Sequence, residues 1–91
     1  TDEDLISLVR SGDEKKQVAI AGRPTLPATV TSVIVATGVD AAVETVCAND
    51  NAVFTERTLS KAIDRFQASE AIHAALAHRS TLPLAIAERL V

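Results

Sequence analysis

A chain of 91 residues that is 47% hydrophobic with a net charge of -3 carries enough apolar side chain to offset the entropy of ordering one modest core, and is too short for two independent domains. The balance of 12 Asp and Glu against 9 Lys and Arg excludes a globally basic nucleic-acid binder and gives no pull toward an anionic membrane. With only two Phe and no Trp, Tyr or Met beside its Ala, Val, Leu and Ile, the sequence suits closely packed helices and is poor in the aromatic anchors that stack nucleotides or dominate interfaces.

Taken in chain order, the pattern predicts seven short helices. The first runs from Glu3 to Arg10, with Thr1 and Asp4 spaced as a capping box. Asp13 is placed to cap a second helix whose apolar residues are Val18, Ala19, Ile20 and Ala21, and Arg23-Pro24 ends it because the residue before proline is pushed out of the helical region. Pro27 fits the first turn of a third helix, where its missing N–H costs nothing. The β-branched run Thr29 to Val35, taken alone, reads as a strand. Its counterparts further along, Thr58 to Asp64 and Ala85 to Leu90, are helical in composition, so a helix buried between neighbours is expected instead. Gly38-Val39-Asp40 introduces a helix over Ala41 to Ala48, Thr55-Glu56 one over Arg57 to Phe66, Ser69-Glu70 one over Ala71 to Arg79, and Leu82-Pro83 the last, through Leu90.

Internal similarity is the main signal. Ile20-Ala21-Gly22-Arg23-Pro24-Thr25-Leu26-Pro27 matches Leu76-Ala77-His78-Arg79-Ser80-Thr81-Leu82-Pro83, and Val46 to Val53 is a degenerate middle copy that lacks both prolines. Units of about 26 to 30 residues result, the period of stacked two-helix repeats. The aliphatic-Ala-x-Arg-x-x-Leu-Pro pattern resembles HEAT-like repeats of the leucine-rich-repeat-variant kind. With the opening Asp2 to Arg10 and the closing Ala87-Glu88-Arg89-Leu90-Val91, the chain is similar to an uncharacterised bacterial family of helical-repeat proteins filed as a domain of unknown function. The resemblance implies a fold and a larger parent protein; it brings no activity, substrate or site residue. The expected architecture is all-α: a right-handed, gently curved HEAT-like stack of antiparallel helix pairs, an α-solenoid fragment forming a single domain over 1–91. Thr1 in place of Met, and a closing helical pattern without a breaker, lead us to expect a piece of a longer protein.

No catalytic, metal or cofactor signature emerges. Cys47 has no second cysteine to pair with, which favours an intracellular and so cytoplasmic protein, and its repeat equivalents Ala21 and Ala77 suggest a small buried slot. The longest uncharged stretch, Pro24 to Val39, is too short to span a membrane. His73 and His78 are five apart and turned away from each other on a helix, so they cannot readily share an ion. Asp2, Glu3, Asp4, Asp13 and Glu14 sit at helix starts, where negative charge offsets the dipole. Asn49-Asp50-Asn51 lacks the glycine and distal Glu of a calcium loop and reads as a turn. Arg23 and Arg79 fall at helix ends, where they would cap carbonyls.

One feature has functional shape. Arg57, Lys61 and Arg65 are spaced i, i+4, i+8 and align along one helix face that could dock phosphates or an acidic partner, although Glu56 and Asp64 dilute it and a solvated face is the commoner outcome. The leading expectation is a non-enzymatic protein–protein interaction module or scaffold without cofactors. The alternative is a nucleic-acid-binding helical-repeat domain using that basic face, and an enzyme ranks last because no nucleophile and base are paired. Apolar Leu84, Ile86 and Leu90 on the last helix mark a face for a further repeat or a second chain.

Overall fold

A computed structural model describes residues 2–79 and 82–90. Among them are seven helices: α1 (Asp2–Arg10), α2 (Glu14–Ala21), α3 (Ala28–Thr37), α4 (Asp40–Ala48), α5 (Glu56–Arg65), α6 (Glu70–Ala77) and α7 (Leu84–Arg89). The all-α expectation holds, with boundaries shifted by a residue or two. The Asp13 carboxylate accepts from the Lys16 N–H at 3.1 Å, and Thr55 and Ser69 cap α5 and α6 in the same way. Pro27 and Pro83 stand one residue earlier than the pattern suggested, as the capping residues themselves, with extended ψ. The capping box with Thr1 lies outside the described residues.

Successive helices alternate between two layers. α1, α3, α5 and α7 form one layer, each in contact with the next, and α2, α4 and α6 form the other. The result is elongated, with extents of 35 × 22 × 18 Å. Between the layers lies one continuous core in which Leu26, Val30, Ile34, Val43, Val46, Ile72, Leu76 and Ile86 are almost wholly buried. Each such aliphatic side chain contributes about 1.5–3 kcal/mol.

The β-branched α3 is helical because its four buried positions, Val30, Thr31, Ile34 and Val35, form one stripe at helical spacing. On α5 the stripe is Thr58, Leu59, Ala62 and Ile63, matching α3 residue for residue. α3 touches α1, α2, α4 and α5, so tertiary packing outweighs its strand propensity. Gly38 ends it: a Cβ there would stand 2.5 Å from the Ile34 carbonyl oxygen, and only glycine allows the chain to turn so closely. Gly12, at φ +82, serves the tight turn between α1 and α2.

Two edges of turns close the layers, and both are stitched from one turn to the next. At the first edge, the Asn49 amide donates to the carbonyls of Ala21 and Arg23, both at 2.9 Å. The Arg79 guanidinium repeats this on the next turn, donating to the carbonyls of Cys47, Asn49 and Ala52 at 3.0, 3.0 and 2.9 Å. Leu26 and Ala52 form a parallel bridge, with the Val53 N–H donating to the Leu26 carbonyl at 2.9 Å. The middle turn therefore keeps register with the first although it lacks Leu-Pro. At the second edge, buried Gln17 donates to the Val9 carbonyl at 2.7 Å and accepts from the Val39 N–H at 2.8 Å. Arg65 there donates to the carbonyls of Val35 and Gly38 at 3.0 and 2.9 Å.

The expected apolar face of the last helix needs correction. Leu84 is 75% exposed, but Ile86 is 1% exposed, and half-buried Leu90 packs on the core, so the helix turns its apolar side inward.

Candidate functional site

Helix α5 is strongly two-sided: Thr58, Leu59, Ala62 and Ile63 enter the core, and the opposite residues, Arg57, Lys61 and Arg65, are exposed. The structure brings the three into one row but gives them different work. Arg65 is committed to the carbonyls at the end of α3, with its guanidinium 4.6 Å from the centre of the Phe66 ring. Asp64 is held by Arg89 of α7, which also donates to the Ser60 hydroxyl at 3.1 Å. Among the described residues, the side chains of Arg57 and Lys61 make no hydrogen bond or ion pair.

Arg57 stands in the wall of two adjacent open grooves. The first, about 430 Å³, lies against α1 and α3, with Ile6 and Val33 as apolar floor and Thr29, Ser32 and Thr55 along its sides. The second, about 480 Å³, runs along α5 past Ser60 and Lys61 to Arg65. The first groove has the apolar floor and hydroxyl flanks; the second carries the Arg57 and Lys61 cations beside Arg65 and the Asp64 carboxylate that Arg89 holds, and the two together suit an acidic polypeptide segment.

Cys47 is fully buried, and burial pushes its thiol up to about 12 despite the nearby Arg79 charge, so it supplies no thiolate nucleophile at neutral pH. His78 is exposed at the end of α6, and His73 is half-buried with an unpartnered Nε2. Among the described residues no three His, Cys, Asp or Glu groups converge as a metal site. Asn49-Asp50-Asn51 is a turn, closed by the Asn51 N–H donating to the Asn49 side chain at 3.0 Å. Neither aromatic ring is free: Phe54 lies 4.4 Å beneath the Arg79 guanidinium, as Phe66 lies beneath Arg65.

Sequence reasoning placed Arg79 at a helix end but not its reach across to the preceding turn. The alignment of Arg23, Asn49 and Arg79 was the signal that could have found it. It gave no warning of Gln17, whose buried amide joins two turns at once. No helix among the described residues is long and apolar enough to cross a membrane.

The family model described as an uncharacterised protein conserved in bacteria (DUF2336) matches residues 1–91, and the chain belongs to that family. No curated protein and no solved structure matches the chain.

Proposed function

We propose that this member of DUF2336 is a non-catalytic protein-interaction module, a HEAT-like α-solenoid stack that holds an acidic segment of a protein partner along α3 and α5 through Arg57 and Lys61. The observation that carries the reading is the pair of uncommitted cations beside an apolar-floored groove. The stack is supported by the alternation of layers, by the matching buried stripes on α3 and α5, and by Asn49 and Arg79 bonding back in the same register. Stacked helix pairs offer extended surfaces of this kind, an inference from architecture. The proposed setting is the cytoplasm, in keeping with a lone buried thiol. Weighing against nucleic acid, Arg65 is already bound and both phenyl rings are covered.

The test titrates acidic and basic peptides of equal length into isotopically labelled protein and follows its amide signals. An acidic peptide should shift residues of α3 and α5, and Arg57→Glu with Lys61→Glu should weaken binding about tenfold or more, the equivalent of about 1.4 kcal/mol. Shifts confined to other helices, or equal binding by the double variant, would refute the reading. Preferential capture of a nucleic-acid duplex, lost steeply with salt, would transfer the surface to nucleic acid.

A further inference from the structure

The groove along α5 limits how the negative charge of a bound segment can be distributed. Arg57, Ser60 and Lys61 stand at i, i+3 and i+4, so their Cβ atoms form a triangle with sides of about 5–6 Å on one helix face. All three line this groove, together with Asp64 and Arg65. Among the described residues the Arg57 and Lys61 side chains have no partner. The Ser60 hydroxyl accepts from Arg89 at 3.1 Å and donates its own proton to no described residue. Three unused donor groups therefore converge on one patch.

Charge narrows the occupant further. The groove is lined by three cations and one carboxylate, Asp64, which Arg89 holds, so two positive charges stand in excess. Arg65 keeps its charge while it donates to the Val35 and Gly38 carbonyls. Glu56, one turn ahead of Ser60, lines neither groove, and counting it together with Arg89 leaves the excess unchanged. Across α3 the sign reverses. The Asp2 carboxylate accepts from the hydroxyl of Thr29, which lines the neighbouring groove with Ile6 and Val33. Glu3 and Asp4 follow Asp2 on α1, whose one cation, Arg10, stands at the far end, and α3 carries no charged residue. A segment with carboxylates spread along it would bring some of them against Asp2. The two walls together favour negative charge concentrated over Arg57, Ser60 and Lys61.

We infer that the side chain seated there is a phosphorylated serine or threonine of the partner segment. A phosphate monoester carries a charge of about −1.5 to −2 at pH 7 and three acceptor oxygens, which match the excess charge and the three donor groups, whereas a carboxylate brings a single charge and two oxygens. Arg57 takes two phosphate oxygens side by side, Lys61 sets its ammonium against the charge, and the Ser60 hydroxyl donates to the remaining oxygen. From the phosphate the segment passes Arg57, which walls both grooves, and enters the neighbouring one, where Ile6 and Val33 offer apolar contact and Thr29, Ser32 and Thr55 offer hydroxyls. That continuation selects a phosphopeptide over a free ion or a lipid headgroup. A nucleic-acid phosphodiester, with one charge per phosphate, matches the patch less well.

The inference rests on the acidic-segment reading, and the experiment separates the two. Isotopically labelled protein is titrated with three peptides of one sequence, with Leu on one side of the central residue and Asp on the other, the central residue being phosphoserine, glutamate or serine. The phosphoserine peptide should bind about tenfold more tightly than the glutamate peptide, with the largest amide shifts between Arg57 and Lys61. Lys61→Met should remove most of that preference, and Ser60→Ala should weaken phosphoserine binding about threefold while leaving glutamate binding unchanged. Lys61 is exposed and Ser60 half-buried outside the core, so helical circular dichroism should hold in both variants. Equal binding of the phosphoserine and glutamate peptides would overturn the phosphate assignment and leave the acidic-segment reading standing, while binding of neither would refute both. Inorganic phosphate that produces the same shifts at the same concentration would overturn the assignment in favour of a free ion. Co-sedimentation with vesicles of phosphatidic acid and phosphatidylcholine, lost in Lys61→Met, would overturn it in favour of a membrane surface.

Discussion

Arg79 and Arg23 occupy the same place in two copies of one sequence pattern and do different things. Arg79, half-buried at the turn after α6, gathers three carbonyls of the preceding turn and covers Phe54. Arg23, at the turn after α2, is exposed, and its side chain makes no hydrogen bond or ion pair with the described residues. The same residue type at matching places in the pattern therefore does different work, set by which carbonyls lie within its reach.

Substitutions along the stack sharpen that contrast. The largest effect is expected for Arg79→Ala, which takes the guanidinium donors from three carbonyls, of which Asn49 keeps the Ala52 N–H, and uncovers a ring. A loss of about 3 kcal/mol in urea unfolding is predicted. Gln17→Leu, which leaves the Val39 N–H without a partner at the other edge and takes from the Val9 carbonyl one of its two donors, should cost about 2 kcal/mol by the same measurement. Thr31→Val should act in the opposite direction. The Thr31 hydroxyl is fully buried without a partner, and a methyl group in its place should raise stability by about 1 kcal/mol. Arg23→Ala should change stability by less than about 0.5 kcal/mol, as for an exposed surface site.

Cys47 adds a pH dependence beneath the second turn. Its folded value of about 12 exceeds its ordinary 9.0, so the native state retains a proton that the unfolded chain releases. The contribution is fully present below pH 9.0 and is lost as pH rises toward 12. Relative to Cys47→Ala, the wild type should lose stability across that window in urea titrations, and its thiol should resist modification at neutral pH until the protein unfolds.

Much of the helical framework was legible because it depends on local chemistry. Asp13, Thr55 and Ser69 are caps that any chain would use, and the copies around Ile20 and Leu76 revealed which positions are equivalent. Even the strand-like Thr29 to Val35 could be assigned correctly, through its helical counterparts. The stripe on α5 was legible as a row but not as a division of labour. Arg65 is drawn to Val35 and Gly38, and Asp64 to Arg89, by contacts between residues far apart in sequence. The same holds for Ile86: on a short apolar helix, spacing alone did not decide which residue turns inward, and contact with α5 did.

The central claim is that successive turns bond directly to one another, and native-state hydrogen exchange of the Val53 amide tests it most directly. That N–H lies outside every helix and donates only to the Leu26 carbonyl of the preceding turn, at 2.9 Å. Protection approaching that of the core helices in the wild type, reduced sharply by Asn49→Ala, is the predicted result. Exchange of Val53 at the rate of an open loop in the wild type would contradict the account.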